Sequence, residues 1–269
     1  MILVVVFSWV LCANAGELNV CADPNDLPFS NKKGQGFENK LAELVANQLG
    51  ATLKYTWWAP RRGYTPRALM SAKCDLWPGV AVGVRLLEST RPYYRSSYVF
   101  VTRSDRDLRI NSFDDPRLKK LRIGVQMNGA DGAGSPPAYC LTRRGIINNV
   151  QPYLVRGDTS CSSPVRAIID AVESKQVDIA VVWGPSAGYF AAIEPASLTL
   201  TPVQPSIDRL GLPMTFDIAM GVRRGNSALR QKIDQVLEQK RTEIDAILTQ
   251  YHIPWYPLPT KEEPLLPGF

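Results

Sequence analysis

Histidine is almost absent from this chain of 269 residues. His252, near the carboxyl end, is the single one, which excludes a histidine-based catalytic triad and a metal site built from several histidines. The patterns C-x-x-C, C-x-x-C-H, G-x-S-x-G and the P-loop are also missing, so the sequence offers no redox pair, haem attachment site, hydrolase nucleophile or nucleotide cradle. We therefore expect no enzyme, no catalytic residue, no metal and no bound cofactor.

Charge is missing from the amino-terminal stretch. Met1 to Leu11 is almost purely apolar and is followed by Ala13-Asn14-Ala15, a pattern that predicts a secretory signal at residues 1–15 despite the lack of a basic first segment. A membrane anchor is the alternative, but the run is shorter than the roughly 20 residues that a membrane span needs. A lipid anchor on Cys12 is a further alternative, but Trp9-Val10-Leu11 before it is a poor lipoprotein signal. We expect an exported protein without a membrane span.

Basic residues exceed acidic ones by 31 to 25, but they are scattered along the chain. The sequence lacks a basic stripe interleaved with aromatic residues, which excludes a typical nucleic-acid binder. The balance is compatible with an acidic protein partner.

The first part of the chain alternates strands and helices. Residues 18–22, 52–58 and 74–77 have strand patterns, while residues 37–49 and 66–72 have helical ones, which predicts a parallel sheet with right-handed crossovers. The first and third strands are then neighbours.

Four cysteines remain after the signal, an even number that favours disulfides in an exported protein; four buried thiols are the alternative. Three pairings are possible. The neighbouring first and third strands favour Cys21–Cys74, which leaves Cys140–Cys161.

The alternation restarts with strands at 121–125 and 178–183 and a helix at 163–172. Two further strands, 98–101 and 217–222, join the two units, and a long helical pattern covers 226–251. We predict an α/β fold with two lobes, whose parallel-rich sheets are joined by two hinge strands. The predicted bounds are lobe 1 at 16–100 and 218–253, lobe 2 at 101–217, and an extended Pro-rich tail at 254–269.

This order of elements resembles the type 2 periplasmic binding protein fold in its solute-binding family 3 form. The local marks are Asp23…Pro28-Phe29, Gly36-Phe37-Glu38, Ala72-Lys73-Cys74-Asp75, Arg91-Pro92-Tyr93-Tyr94 and Gly221-Val222-Arg223-Arg224-Gly225. Each is weak alone, but together they occur in order and at sensible spacing.

A narrower resemblance concerns longer runs. These are Cys21-Ala22-Asp23-Pro24-Asn25, Leu27-Pro28-Phe29-Ser30-Asn31, Tyr55-Thr56-Trp57-Trp58, Arg61-Arg62-Gly63, Asp114-Asp115-Pro116-Arg117, Val182-Trp183-Gly184-Pro185 and Phe216-Asp217-Ile218-Ala219-Met220. They resemble the quinoprotein-dehydrogenase-associated binding proteins, the MxaJ and XoxJ group. The resemblance implies a periplasmic protein of a Gram-negative bacterium. It also implies a partner, a PQQ-dependent methanol or alcohol dehydrogenase, possibly together with its cytochrome c. The chain is too short and lacks the repeats to carry a PQQ propeller itself. The alternative is a subunit of an ABC importer that captures a small non-amino-acid solute.

Amino-acid binders of family 3 resemble one another in an Arg for the ligand carboxylate and an Asp for its ammonium. Trp183 stands at the Asp position here, and an indole cannot neutralise an ammonium. Arg85, in a shortened segment, is the candidate for the Arg. We therefore expect no capture of amino acids, with core packing of Trp183 as the alternative.

The other candidates for a cleft or partner surface follow strands or belong to the subfamily-like runs. They are Asp23, Phe29, Glu38, Trp58, Arg61, Arg62 and Asn128. Strand-to-helix ends are where such folds place their sites. The alternatives are a turn cap for Asp23, core packing for Phe29, solvated arginines, and a plain loop at Asn128.

Overall fold

The computed structural model describes residues 16–57, 73–85, 87–127, 134–154, 165–194 and 197–258. The strands are β1 (Glu17–Ala22), β2 (Asn25–Asp26), β3 (Ser30–Asn31), β4 (Thr52–Trp57), β5 (Leu76–Ala81), β6 (Glu88–Ser89), β7 (Tyr94–Arg103), β8 (Ile123–Met127), β9 (Val150–Leu154), β10 (Ile179–Trp183), β11 (Leu198–Pro202) and β12 (Thr215–Val222). The helices are α1 (Phe37–Gln48), α2 (Pro136–Arg143), α3 (Arg166–Glu173), α4 (Gly184–Ile193), α5 (Ser227–Gln239) and α6 (Arg241–Gln250), with short 3₁₀ turns at Ser104–Arg106 and Pro116–Lys119. No helix in this part of the chain has the length and apolar character needed to cross a membrane.

The amino-terminal strands form the predicted parallel sheet. β1 lies between β4 and β5 and is parallel to both. This adjacency places Cys21 beside Cys74, which form a disulfide with a Cα–Cα distance of 5.6 Å. Both cysteines are buried together with Trp77, Val80 and Leu87. The predicted first disulfide is therefore confirmed.

β7 joins this sheet to the rest of the molecule by changing partners along its length. Its residues 94–97 pair with residues 215–218 of β12, whereas residues 98–101 pair with residues 180–183 of β10. We call the strands β4, β1, β5, β12 and β6 with residues 94–97 the first half sheet. The second half sheet contains residues 98–103 of β7 with β10, β8, β9 and β11. The mixed α/β fold class is confirmed, while the predicted lobe bounds stay predictions.

Apolar positions explain how the helices cover these sheets. On α1, Phe37, Leu41 and Val45 recur at helical spacing and are buried. On α3, Ile168, Ile169 and Val172 are buried beneath the second half sheet. Each helix thus turns one apolar stripe toward the sheet, which positions the loops between strands and helices.

One expectation from the sequence differs from the structure. The helical pattern at 226–251 forms two helices, α5 and α6, that meet at Lys240, where the interval between buried apolar positions lengthens from Leu237 to Ile244. Cys140 of α2 is buried, and burial raises the pKa of its thiol to about 12. Its predicted partner Cys161 lies outside the described residues, as do the predicted signal at 1–15 and the helix at 66–72. The pairing Cys140–Cys161 stays a prediction.

The carboxyl-terminal segment makes long-range contacts, and the predicted extended tail at 254–269 stays a prediction. The Tyr256 N–H donates to the Arg95 carbonyl at 2.9 Å, and Ser96 Oγ donates to the Pro254 carbonyl at 2.5 Å. At the start of this segment, directly after α6, the Tyr251 ring stacks on Tyr189 of α4, with centroids 6.1 Å apart. We call Tyr251–Tyr256 the C-terminal clasp, because it contacts β7 at its change of partners and also α4.

Candidate functional site

The carboxyl ends of the two half sheets meet at one short stretch of β7. β5 ends at Ala81, which is level with Ile218 of β12, and Ile218 is level with Tyr94 of β7. β10 ends at Trp183, which is level with Tyr98. Four residues of extended strand separate the two positions on β7, about 13 Å. Open α/β sheets place their binding sites at the carboxyl ends of strands, so this stretch is the candidate site.

Three aromatic side chains form the centre of this site. The Trp183 ring contacts Tyr98 edge-on at 5.3 Å and Phe216 at 5.8 Å, and Tyr98 and Phe216 lie 6.4 Å apart. Tyr98 and Phe216 are buried, whereas Trp183 is half-buried. We call Tyr98, Trp183 and Phe216 the aromatic trio. It combines the two sequence-based alternatives for Trp183, since the ring packs on the core and keeps an accessible part.

Gln126 of β8 positions the trio and was missed in the sequence. Its Oε1 accepts a hydrogen bond from the Trp183 N–H at 2.9 Å, where β10 ends and α4 begins. Gln126 is itself buried. A buried amide that accepts the main-chain N–H holds the backbone of Trp183 in place. The apolar run around Gln126 gave no signal for this role.

Asp23 and Phe29 belong to a loop that closes the amino terminus of α1. The Asp23 carboxylate accepts from the Asn25 N–H at 2.8 Å, which is the turn-capping role considered as its alternative. The carbonyls of Pro28 and Phe29 accept from the N–H groups of Phe37 and Glu38 at 2.8 and 2.9 Å. These contacts satisfy N–H groups that a helix start otherwise leaves free for an anion. The start of α1 is thus a structural junction.

Gly36 allows this loop to approach the helix. A Cβ atom at Gly36 would overlap the Phe29 carbonyl. The Phe29 ring then lies 5.4 Å from Phe37, which contacts Tyr94 edge-on at 6.1 Å. Phe29 therefore belongs to the margin of the core, in line with its structural alternative.

Glu38 is a buried acid between α1 and the first half sheet. A Cβ atom at Gly79 of β5 would overlap its carboxylate, so the glycine makes room for Glu38. Burial, and secondly the nearby Glu38 charge, hold the pKa of Tyr94 well above its usual range. The carboxylate is therefore packed close to β7, on the first half sheet.

A buried ion pair lies next to the trio on the crossing strands. Arg95 Nε and Nη2 donate to the two oxygens of Asp217 at 2.7 and 3.0 Å. The Asp217 side chain is fully buried, and the two residues are directly opposite in the β7–β12 register. The paired geometry satisfies the Asp217 charge from within the protein. Asp217 is consequently held by Arg95 and is not the counterpart of a ligand ammonium.

Arg85 occupies a different place from these residues. It is exposed in the turn after β5, and its main-chain carbonyl accepts from the Arg224 guanidinium. Trp58, Arg61, Arg62 and Asn128 lie outside the described residues, so their roles stay predictions. The structure brings Asp23 and Phe29 to one loop beside Glu38, and places Trp183 in the aromatic trio.

The described residues contain one cluster of three carboxylate side chains that lie close enough together to hold a cation. Ligand oxygens of Asp170, Glu173 and Glu194 lie within 4.8 Å of one another. Arg166 Nη2 lies 3.0 Å from Glu194 Oε1, so a cation already balances part of the negative charge of the group. Burial, and then a hydrogen bond with Glu173, raise the pKa of Glu194. The Arg166 guanidinium is thus the cation that contacts this cluster among the described residues.

Comparison with known proteins agrees with this architecture. A family model described as bacterial extracellular solute-binding protein matches residues 40–233. Protein MoxJ of Methylorubrum extorquens strain AM1 is 33% identical over 257 residues, which cover 91% of this chain and 83% of that protein. Protein MoxJ of Paracoccus denitrificans is 30% identical over 260 residues, covering 91% of both chains.

A solved structure agrees as well. The periplasmic binding protein XoxJ from Methylobacterium extorquens AM1 superposes with a TM-score of 0.70 at 32% identity, covering 90% of this chain and all of that one. The chain therefore belongs to the bacterial extracellular solute-binding proteins and, within them, to the MxaJ/XoxJ group of periplasmic binding proteins.

Proposed function

We propose that this chain is a non-enzymatic periplasmic accessory protein of a PQQ-dependent methanol or alcohol dehydrogenase system. It assists assembly or activation of the dehydrogenase through protein contact. Membership in the MxaJ/XoxJ group supports the system. The observation that carries the mode of action is the aromatic trio, because its Trp183 stands at the position where amino-acid binders of the resembled family have an Asp for the ligand ammonium.

The chemistry of the trio supports a protein segment as its ligand. Trp183 offers the accessible part of an aromatic ring, backed by the buried rings of Tyr98 and Phe216, and aromatic residues are enriched at the energetic centres of protein interfaces. The neighbouring acid, Asp217, is already neutralised by Arg95 at 2.7 Å. A zwitterionic amino acid would leave its ammonium without a partner here, which is costly in a partly buried site.

The C-terminal clasp supports the same proposal. An importer subunit has to close over its solute by moving its lobes about the hinge. In this chain Tyr256 bonds to Arg95 at the change of partners of β7, and Tyr251 stacks on Tyr189 of α4. Movement of the lobes acts on these contacts, whereas binding of a protein segment to the structure as it stands leaves them in place.

Deletion of the gene tests the proposal. The amount of active, PQQ-loaded dehydrogenase should fall while its transcript level stays unchanged, because the protein acts after synthesis. Complementation with the wild-type gene should restore activity, and complementation with Trp183→Ala should restore it only in part. A conservative Trp183→Phe variant, which keeps an aromatic ring, should be closer to wild type.

The importer alternative predicts the opposite pattern. Uptake of one small solute would be lost and dehydrogenase activity would be intact. That result would replace the accessory function by solute capture.

A further inference from the structure

Exposed apolar side chains concentrate on α2 and on a neighbouring hairpin at residues 206–214. Among the described residues, six large apolar side chains are exposed, and four of them belong to these two segments. Tyr139 and Ile147 are 50% and 56% exposed, at α2 and just after it, and Ile207 and Leu210 are 45% and 42% exposed on the hairpin. Clustering of this kind on a soluble protein marks an interaction site more often than single exposed residues do.

A buried ion-pair network holds the two segments together. Arg144, at the end of α2, donates to Asp208 of the hairpin at 2.7 Å, and both side chains are buried. It also donates to Asp114 at 2.9 Å, and Asp114 in turn pairs with Arg209 at 3.3 Å. The hairpin is closed by the Met214 N–H donating to the Ser206 carbonyl at 2.8 Å. The exposed apolar side chains thus project from two segments that ion pairs hold together.

A basic turn at residues 118–121 lies beside the end of α2. The side-chain amide of Asn149, two residues after Ile147, donates to the carbonyls of Leu118 and Leu121 at 2.7 and 2.5 Å. Lys119 and Lys120, which lie between those carbonyls, are exposed. The turn is therefore fixed beside the end of α2.

The charge of these segments is strongly one-sided. Residues 114–121, 139–147 and 206–211 contain six Arg and Lys against three Asp, so they carry half of the +6 net charge of the chain. The three aspartates are already paired with arginines. The guanidinium of Arg143 lies over the Tyr139 ring, 5.4 Å from its centroid. An acidic surface is the electrostatic complement of such a region.

We propose that Tyr139, Arg143, Ile147, Ile207, Arg209 and Leu210, which we call the α2 surface, dock an acidic protein surface. This proposal rests on the proposed function in one respect, because it assigns that acidic surface to the dehydrogenase. The α2 surface contains no residue of the aromatic trio. The apolar side chains supply the buried centre of the contact, and the surrounding cations supply orientation and fast association.

Binding of the purified dehydrogenase from the same bacterium tests the proposal, measured by calorimetry with folded variants. Tyr139→Ala and Ile147→Ser should each weaken binding at least tenfold. Ile193→Ser is the matched control, since Ile193 is 53% exposed on α4, and it should stay within twofold of wild type. Circular dichroism and melting temperatures verify that the variants are folded.

The basic turn at Lys119 and Lys120, beside the α2 surface, has its own test. A Lys119→Glu, Lys120→Glu double variant should bind at least tenfold more weakly at low salt and should lose most of the salt dependence of binding. Lys232→Glu, an exposed lysine on α5, is the control and should leave both quantities unchanged.

The outcomes separate the two proposals. If the wild type binds and the α2-surface variants bind equally well, the docking proposal is overturned while the accessory function stands. If binding is lost only in Trp183→Ala, the trio is the contact and the α2 surface is not. If the wild type does not bind the dehydrogenase, both proposals fail.

Discussion

Gly188 of α4 packs directly against the main chain of His252, and a Cβ atom at Gly188 would overlap the His252 carbonyl oxygen. Pro254, two residues after His252 in the clasp, lies against both Gly188 and Gly184 of α4. Two glycines on one helix face thus provide the groove in which the C-terminal clasp lies.

The Gly188→Ala substitution tests how tightly the clasp is held. Alanine has the higher helix propensity by about 1 kcal/mol, so an open helical site would gain stability. At Gly188 we expect the opposite, a loss of about 1–3 kcal/mol in the free energy of unfolding, because the added methyl group forces the clasp away. Urea unfolding measures this quantity.

Gly134→Ala is the control for that substitution. A Cβ atom at Gly134 would meet only Ala138 Cβ at 3.8 Å, an ordinary contact. Its free energy of unfolding should stay near the wild-type value. A stabilised Gly188→Ala protein would contradict the close packing of the clasp.

The elements that the sequence predicted are those governed by local periodicity and by strand order. The helix at 37–49 and the strands at 18–22 and 52–58 agree with α1, β1 and β4 within one residue at each end. The neighbouring positions of β1 and β5 follow from the handedness of crossovers, which is why the Cys21–Cys74 disulfide could be predicted.

Other features depend on contacts between residues distant in the chain. α2 was missed although Ser135 caps it and Pro136 opens it, two local signals of a helix start. The bond from Trp183 to Gln126 joins residues 57 positions apart, and the contact of Tyr256 with Ser97 spans 159. Periodicity carries no information about such pairs, so the aromatic trio and the clasp appear only in the folded chain.

The Cys21–Cys74 disulfide is expected to stabilise the first half sheet by restricting the unfolded chain. It closes a loop with a sequence separation of 53 residues. Chain entropy then assigns it about 4 kcal/mol. A Cys21→Ala, Cys74→Ala variant should therefore lose up to that amount of unfolding free energy, measured by urea unfolding. Peptide mapping under non-reducing conditions tests the predicted Cys140–Cys161 pair in the same preparation. Alkylation of Cys140 after denaturation without reductant would refute that pair.

Asp178 is expected to make stability depend on pH in the acid range. Its hydrogen bonds with the Arg122 side chain, and further contacts with the Arg122 N–H and with Arg106, hold the pKa of Asp178 far below its usual value. A lowered folded-state pKa stabilises the protein above the unfolded pKa of about 3.9, and this contribution is lost as the pH falls below that value. Asp178→Asn should therefore cost about 2 kcal/mol of unfolding free energy at pH 7.

The difference between wild type and Asp178→Asn should shrink as the pH drops from 5 toward 2, in a series of urea titrations. Glu238→Gln is the control, since Glu238 forms an exposed pair with Arg91 at 3.0 Å. Its effect should stay below about 1 kcal/mol. A gap for Asp178→Asn that is unchanged across the acid range would contradict the linkage.

The aromatic trio predicts that the protein does not capture standard L-amino acids. The ammonium of an amino acid needs an anionic partner, and Trp183 offers an aromatic ring and one N–H donor in its place. Calorimetry against the twenty amino acids should show no micromolar binding, which would correspond to about −8 kcal/mol. Trp183→Asp alone should not create binding, because Arg85, the candidate for the ligand carboxylate, is exposed in the turn after β5. An importer subunit that binds amino acids, titrated under the same conditions, verifies that heats of this size are detected. A micromolar dissociation constant for any amino acid would show that charged groups outside the trio complete a solute site, and the importer function would then be favoured.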